Sequence, residues 1–286
     1  KVFRRVSGYN LDEFLGSQSF NLARMVVGSE GTLCIATEAK VNLVPRPTFK
    51  GLAILHFDGL VEACEATWEV LKHEPAAVEM VDKMILDRCR SSLGFANQMS
   101  FVQGNPGALL LVEIYGDSAN EISDKLNKIK IDADRRQLGY ACVTMEDQKS
   151  QDSVWAIRKA GLGLLMSVKG DAKAIPFVED TAVDPSQLGD YVRRFDEIVK
   201  AHGTTAGYYG HASVGCLHIR PLVSLKNTEG IRNMVSIASD VADLVTEFGG
   251  SLSGEHGDGI VRGVWTEKMF GPNLYQAFKE VKQAFD

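Results

Sequence analysis

The chain has no CxxC pair, no apolar run near 18 residues, no excess of basic charge and no polybasic stretch. Each absence excludes something. Its five cysteines, Cys34, Cys64, Cys89, Cys142 and Cys216, are odd in number and widely spaced. That argues against a disulfide framework and a cysteine-held metal cluster, and fits reduced cytoplasmic thiols. The longest apolar stretches, such as residues 108–112, have strand length, so nothing reads as a membrane-spanning helix. With 37 acidic against 31 basic residues the net charge is −6, the wrong sign for a nucleic-acid-binding face. Nor is there a signal peptide, an initiator Met, an internal repeat or a low-complexity tract. The chain opens at Lys1 and stops at Asp286 within a helical pattern, so it is expected to be a piece of a longer protein. What is present, 286 residues of which 45% are hydrophobic and 24% charged, suits one large globular domain or two smaller ones.

Residues 31–37 and 39–44 are β-rich and follow an initial loop. Pro45-Arg46-Pro47 then breaks the pattern and marks the expected domain boundary, between residues 1–47 and 48–286. Beyond it, strands are expected at 51–57, 77–81, 108–115, 140–145 and 175–183. Helices are expected at 60–73, 84–91, 120–131, 150–168 and 185–201. Two strands within 205–222, joined by residues 212–215, precede a helix at 228–248, a glycine-rich stretch at 249–259 and a last helix at 266–286. Hairpins rather than strict βαβ repeats point to the α+β class, an antiparallel sheet with helices packed on one face.

Four of the six histidines fall between His202 and His256. Taking 213–216 as a hairpin turn, His211 opposes His218, and opposed residues share a face about 5 Å apart. Two such imidazoles can grip a divalent metal, with Glu255 as the third ligand of an open catalytic site. The plain alternative is a pair of histidines stacked on a half-buried sheet. Ser253-Gly254-Glu255-His256-Gly257-Asp258-Gly259 is a flexible bend that can turn Glu255 and His256 into one cleft, a carboxylate ligand beside a general base. Its alternative is an exposed turn. Gly28-Ser29-Glu30-Gly31-Thr32-Leu33 offers backbone N–H groups and a hydroxyl to a phosphate or a flat ring, although it is neither GxGxxG nor a P-loop. Arg158 could clamp a substrate carboxylate, with Arg220 and Arg262 as other candidates, or could simply be ion-paired.

Together these segments resemble the FAD-linked D-2-hydroxy-acid dehydrogenases and oxidases of the vanillyl-alcohol-oxidase (PCMH-type) superfamily, the group of D-lactate dehydrogenase, the glycolate oxidase flavin subunit and D-2-hydroxyglutarate dehydrogenase. Ser7-Gly8-Tyr9-Asn10-Leu11 and residues 27–33 resemble the end of that family's FAD-binding domain. Gly210-His211 through Leu217-His218 is similar to its GH…GNLH segment, and residues 253–257 to its SGEHG motif. The resemblance covers essentially the whole chain. It implies the tail of a PCMH-type FAD-binding domain over 1–47, contacting FAD through Gly28, Ser29, Glu30, Gly31, Thr32 and Leu33. A FAD-linked-oxidase C-terminal, ferredoxin-like substrate domain would follow over 48–286. It further implies that His211, His218 and Glu255 hold a divalent metal, with zinc the expected ion, that lowers the pKa of a D-2-hydroxy acid's hydroxyl. His256 would take the hydroxyl proton, the hydride would pass to FAD, and Arg158 and Arg220 would bind substrate. Residues 177–183 resemble the large members that carry an iron–sulfur domain, so an iron–sulfur domain or a quinone is the expected electron acceptor. The expected location is cytoplasmic or peripheral at the inner membrane face. Two departures stand out: Arg220 occupies a position where the family often has Asn, implying a different or more acidic substrate, and Lys173 lies near but out of register with the family's active-site Lys. Lacking most of the FAD-binding half, the chain alone is expected to hold FAD poorly and not to turn over. A metal-dependent hydrolase using the same cluster, or a non-catalytic ligand-binding α+β domain, are the alternatives.

Overall fold

The structure, a computed structural model, describes residues 2–16 and 20–286. The loop expected at the start of the chain includes residues 17–19, which lie outside the described residues. After α1 (Ala23–Val26), residues 34–47 have no regular secondary structure and form no strand, contrary to expectation. Ile35, Val41, Leu43 and Val44 are all exposed there, and among the described residues no strand pairs with the segment. A β-rich sequence without a neighbouring ladder has nothing to satisfy its backbone.

The remaining elements run β1 (Phe49–Phe57), α2 (Leu60–Leu71), β2 (Ala77–Asp82), α3 (Lys83–Ser91), β3 (Ala108–Gly116), α4 (Ala119–Arg136), β4 (Ala141–Met145) and α5 (Gln148–Met166). They continue with β5 (Lys173–Ala174), β6 (Thr181–Ala182), α6 (Leu188–Ala201), β7 (Ala206–His211), β8 (Cys216–Val223), α7 (Thr228–Glu247), α8 (Gly259–Arg262) and α9 (Thr266–Phe285). Every pairing is antiparallel, in the order β4-β1-β3-β2-β7-β8-β5, with β6 alongside β8. The first four strands, with α2 and α4, make the split βαβ arrangement of ferredoxin-like folds, and the β7–β8 hairpin extends that sheet. Side-chain caps set several helix starts. Asp82 accepts from the Ile85 N–H, Ser118 from Glu121, Asp147 from Ser150 and Asn227 from Gly230.

The class is the expected one, but the helices are not confined to one face. Ala53, Leu55, Phe57, Leu110 and Val112 pack into the larger core beneath α2, α4, α6 and α7. Leu52, Ile54, Val81, Leu109 and Leu111 point the other way, into a second core under α3 and α5. Strands buried on both faces need apolar residues at every position, which is why residues 108–112 show no polar alternation. The second face carries the site. Segment 175–183, expected to be one strand, contributes only β6 to the main sheet. Glu179 and Asp180 are buried within it, and Asp180 turns the backbone with φ 73°. No helix among the described residues is long and apolar enough to cross a membrane.

Candidate active site

The β7–β8 hairpin turns through a 3-10 segment, Ala212–Val214, closed by Gly215 at φ 67°. A Cβ on Gly215 would sit 1.9 Å from the Val183 carbonyl oxygen, so only glycine fits. Because Gly215 must end the turn, the register differs from the one expected. His211 lies opposite Cys216, and His218 opposite Tyr209. A two-residue shift preserves the face, so His211 and His218 become diagonal neighbours with ring centroids 5.4 Å apart, perpendicular to one another.

Glu255 joins them from the bend at 253–259. One ligand atom from each of His211, His218 and Glu255 lies within 4.8 Å of the others. Glu79 of β2 sits opposite His211, and its Oε1 accepts from His211 Nδ1 at 2.5 Å, while His211 Nε2 lies 3.2 Å from Glu255 Oε2. Glu255 and Glu79 together raise His211 to about 9. Its hydrogen bond with His211 lowers Glu255 to about 2, aided by Arg4, 3.6 Å away. His218 is buried, and burial, followed by the charges of His256 and His211, pushes it down to about 4. A neutral buried imidazole with its Nδ1 unpartnered, a second imidazole backed by a carboxylate, and a third-ligand carboxylate form a donor set that fits a divalent metal.

The bend is held by a residue that spacing and composition do not single out. Asp180 accepts from Ser253 Oγ at 2.6 Å, from the Glu255 N–H at 3.1 Å and from the His256 N–H at 2.8 Å. Arg262, one of the candidate clamps, donates instead to the carbonyls of Gly257 and Glu179. Glu30 accepts from the N–H groups of Asp258 and Gly259, and Gly257, at φ 85°, leaves room for that carboxylate where a Cβ would come 2.5 Å from Glu30 Cδ. His256 lies flat on His218, centroids 4.9 Å apart, with its Nδ1 3.1 Å from Glu179.

Arg158 projects from α5 onto the same face. Its Nε and Nη2 meet Glu79 Oε2 at 2.7 and 2.6 Å, and its guanidinium lies 5.0 Å from the Tyr209 ring centre. Arg220 is buried and ion-paired with Glu179. Lys173 donates to the Val168 carbonyl. Glu79, Glu179 and Asp180 are thus the site residues that sequence reasoning missed. The available signal was carboxylates inside apolar runs, at Val78-Glu79-Met80 and Val178-Glu179-Asp180-Thr181, where burial demands partners. The loop at 28–33 uses part of its backbone internally, with Thr32 N–H and hydroxyl both on the Ser29 carbonyl. Gly28, Ser29, Glu30 and Thr32 nevertheless line an open cavity of about 570 Å³, together with Gly8, Tyr9, Asp258 and residues of α9.

Residues 46–286 match the family model of FAD linked oxidases, C-terminal domain, and the chain belongs to that family. It is 31% identical over 299 aligned residues to the D-2-hydroxyglutarate dehydrogenase of Pantoea ananatis, and 32% over 295 to that of Pseudomonas putida, each match covering all of this chain and 29% of the relative. The D-lactate dehydrogenase of Archaeoglobus fulgidus is 28% identical over 94% of this chain and 56% of its own length. The chain therefore spans under a third of the D-2-hydroxyglutarate dehydrogenases it matches. Among solved structures, the 4-ethylphenol oxidase of Gulosibacter chungangensis superposes with a TM-score of 0.62 at 12% identity, covering 96% of this chain and 58% of the oxidase. A p-cresol methylhydroxylase reaches 0.60 at 14%, covering 85% and 52%. These likenesses establish the fold.

Proposed function

We propose that this chain is the substrate-side portion of a flavin-dependent enzyme that oxidises a D-2-hydroxy acid to the 2-oxo acid. The observation that carries the reading is the convergence of His211, His218 and Glu255 beside His256, in a member of a FAD-linked oxidase family. In this reading residues 48–286 form the substrate domain, and residues 1–47 close a FAD-binding domain. The three ligands would hold a divalent ion, which supplies positive charge to a bound hydroxyl and lowers its pKa. FAD, when bound against residues 28–33, supplies the hydride acceptor. His256 accepts the hydroxyl proton. Arg158, whose Nη1 has no hydrogen-bond partner among the described residues, draws the substrate carboxylate. Electrons would leave to an iron–sulfur domain or a quinone. Arg220 is committed to Glu179, so the support for 2-hydroxyglutarate over lactate is the likeness to the D-2-hydroxyglutarate dehydrogenases.

The test uses the full-length protein under anaerobic conditions. D-2-hydroxyglutarate should bleach its flavin and the L enantiomer should not. His218→Ala should abolish bleaching and remove the bound metal with the fold intact. Wild-type bleaching by metal-free protein would end the metal assignment, and ester or amide hydrolysis without bleaching would favour a hydrolase.

A further inference from the structure

We propose that Glu179, clamped by Arg220, is a positioning residue that fixes the tautomer and orientation of His256; this rests on reading His256 as the proton acceptor. The imidazole is restrained three ways. Its backbone N–H donates to Asp180, its ring face lies on His218 with the planes 5° apart, and its Nδ1 meets Glu179 Oε1 at 3.1 Å. A carboxylate only accepts, so Nδ1 carries the hydrogen, and in the neutral imidazole the lone pair is then on Nε2. Nε2 has no hydrogen-bond partner among the described residues, and the side chain is 43% exposed, so this is the nitrogen open to a ligand.

Glu179 is built to hold that arrangement. Its side chain is 8% exposed, its carboxylate is ion-paired with the equally buried Arg220, and its carbonyl accepts from Arg262 at 3.1 Å. Lone buried carboxylates and guanidiniums are costly, so each keeps the other in place. The second carboxylate–imidazole pair, Glu79 with His211, differs in kind. His211 has Glu255 on its other nitrogen and belongs to the ligand set, whereas His256 has a nitrogen free to react.

An amide in place of Glu179 can turn its NH₂ toward Nδ1, which would move the ring hydrogen to Nε2 and remove the acceptor. Glu179→Gln in the full-length enzyme should therefore slow anaerobic flavin bleaching by D-2-hydroxyglutarate by roughly 10²–10⁴-fold. KM, flavin content and metal content should stay within about twofold of wild type, and Glu179→Asp, which still only accepts, should recover part of the rate. A purely structural role would instead lower flavin content and the unfolding midpoint together with the rate. Three results overturn the proposal. Glu179→Gln bleaching at the wild-type rate while His256→Ala is dead leaves the proton acceptor standing but removes its positioner. Loss of metal in Glu179→Gln makes Glu179 a ligand, through the Glu179–His218–His256 cluster whose ligand atoms also lie within 4.8 Å of one another. Wild-type bleaching by His256→Ala removes the proton acceptor and the positioner together. Should Glu179→Gln fail to fold, Arg220→Lys, which keeps the charge and loses the planar fork, should slow bleaching roughly tenfold, and a wild-type rate in that variant overturns the proposal as well.

Discussion

Asp180 is fully buried, carries a left-handed backbone at φ 73°, and gathers the Ser253 hydroxyl and two backbone N–H groups of the bend that presents Glu255 and His256. A non-glycine residue held in that region stores strain that its surroundings must offset. Asp180→Asn tolerates the same φ but has a single acceptor oxygen and no charge. It should cost about 2 kcal/mol of stability and reduce bound metal, checked by thermal unfolding beside metal analysis; unchanged metal content would show that the bend holds its shape unaided. The residues whose chemistry is unusual were legible from the sequence: His211, His218, Glu255 and His256 stand out by type and spacing, and the structure brings all four together. Glu79, Glu179 and Asp180 were not. What they do depends on which backbone amides and ring nitrogens the fold brings to them from 73 or more positions away, and no local pattern encodes that.

At the scale of elements, the hairpin depends on Gly215 and the β2–β7 contact on Asp82. Gly215→Ala combines a positive φ with a backbone clash and should destabilise by on the order of 3 kcal/mol, read as a fall in the unfolding midpoint; a shift within error would mean the turn can relax. Asp82 caps α3 through Ile85 and accepts the Tyr208 N–H of β7 at 2.8 Å. Burial pushes its carboxyl up to about 7 from an ordinary 3.8, against those two donors. The folded value lies above the unfolded one, so this group's contribution to stability is full below about pH 4 and is lost as pH rises through 7. Asp82→Asn should flatten that part of the pH dependence, so urea unfolding at pH 5 and 7.5 should show a smaller difference in the variant than in the wild type. The periodic helices and apolar strands of residues 49–166 were readable, with ends moved by a few residues. Residues 34–44 and 175–183 were not, because strand propensity does not reveal whether a partner ladder exists or whether a buried carboxylate bends the chain.

Across the whole molecule, the early chain is stitched to the late chain. The Val6 N–H donates to the Ser253 carbonyl, Ser7 and Gly8 bind Asp258, Glu30 binds the start of α8, and Lys282 of α9 reaches the Thr32 carbonyl at 2.8 Å. A chain shortened to residues 46–286, the span that matches the family, loses every one of these ties. Its amides at 254–259 should exchange hydrogen faster than in the 286-residue chain while those of β1 and β3 stay protected; equal protection at 254–259 would show that Asp180 and Arg262 suffice. The same stitching has a mechanical consequence. Tension applied between the two ends would reach the bend carrying Glu255 and His256 before it reached the sheet, so a stretched molecule would surrender its chemistry while its strands were still intact.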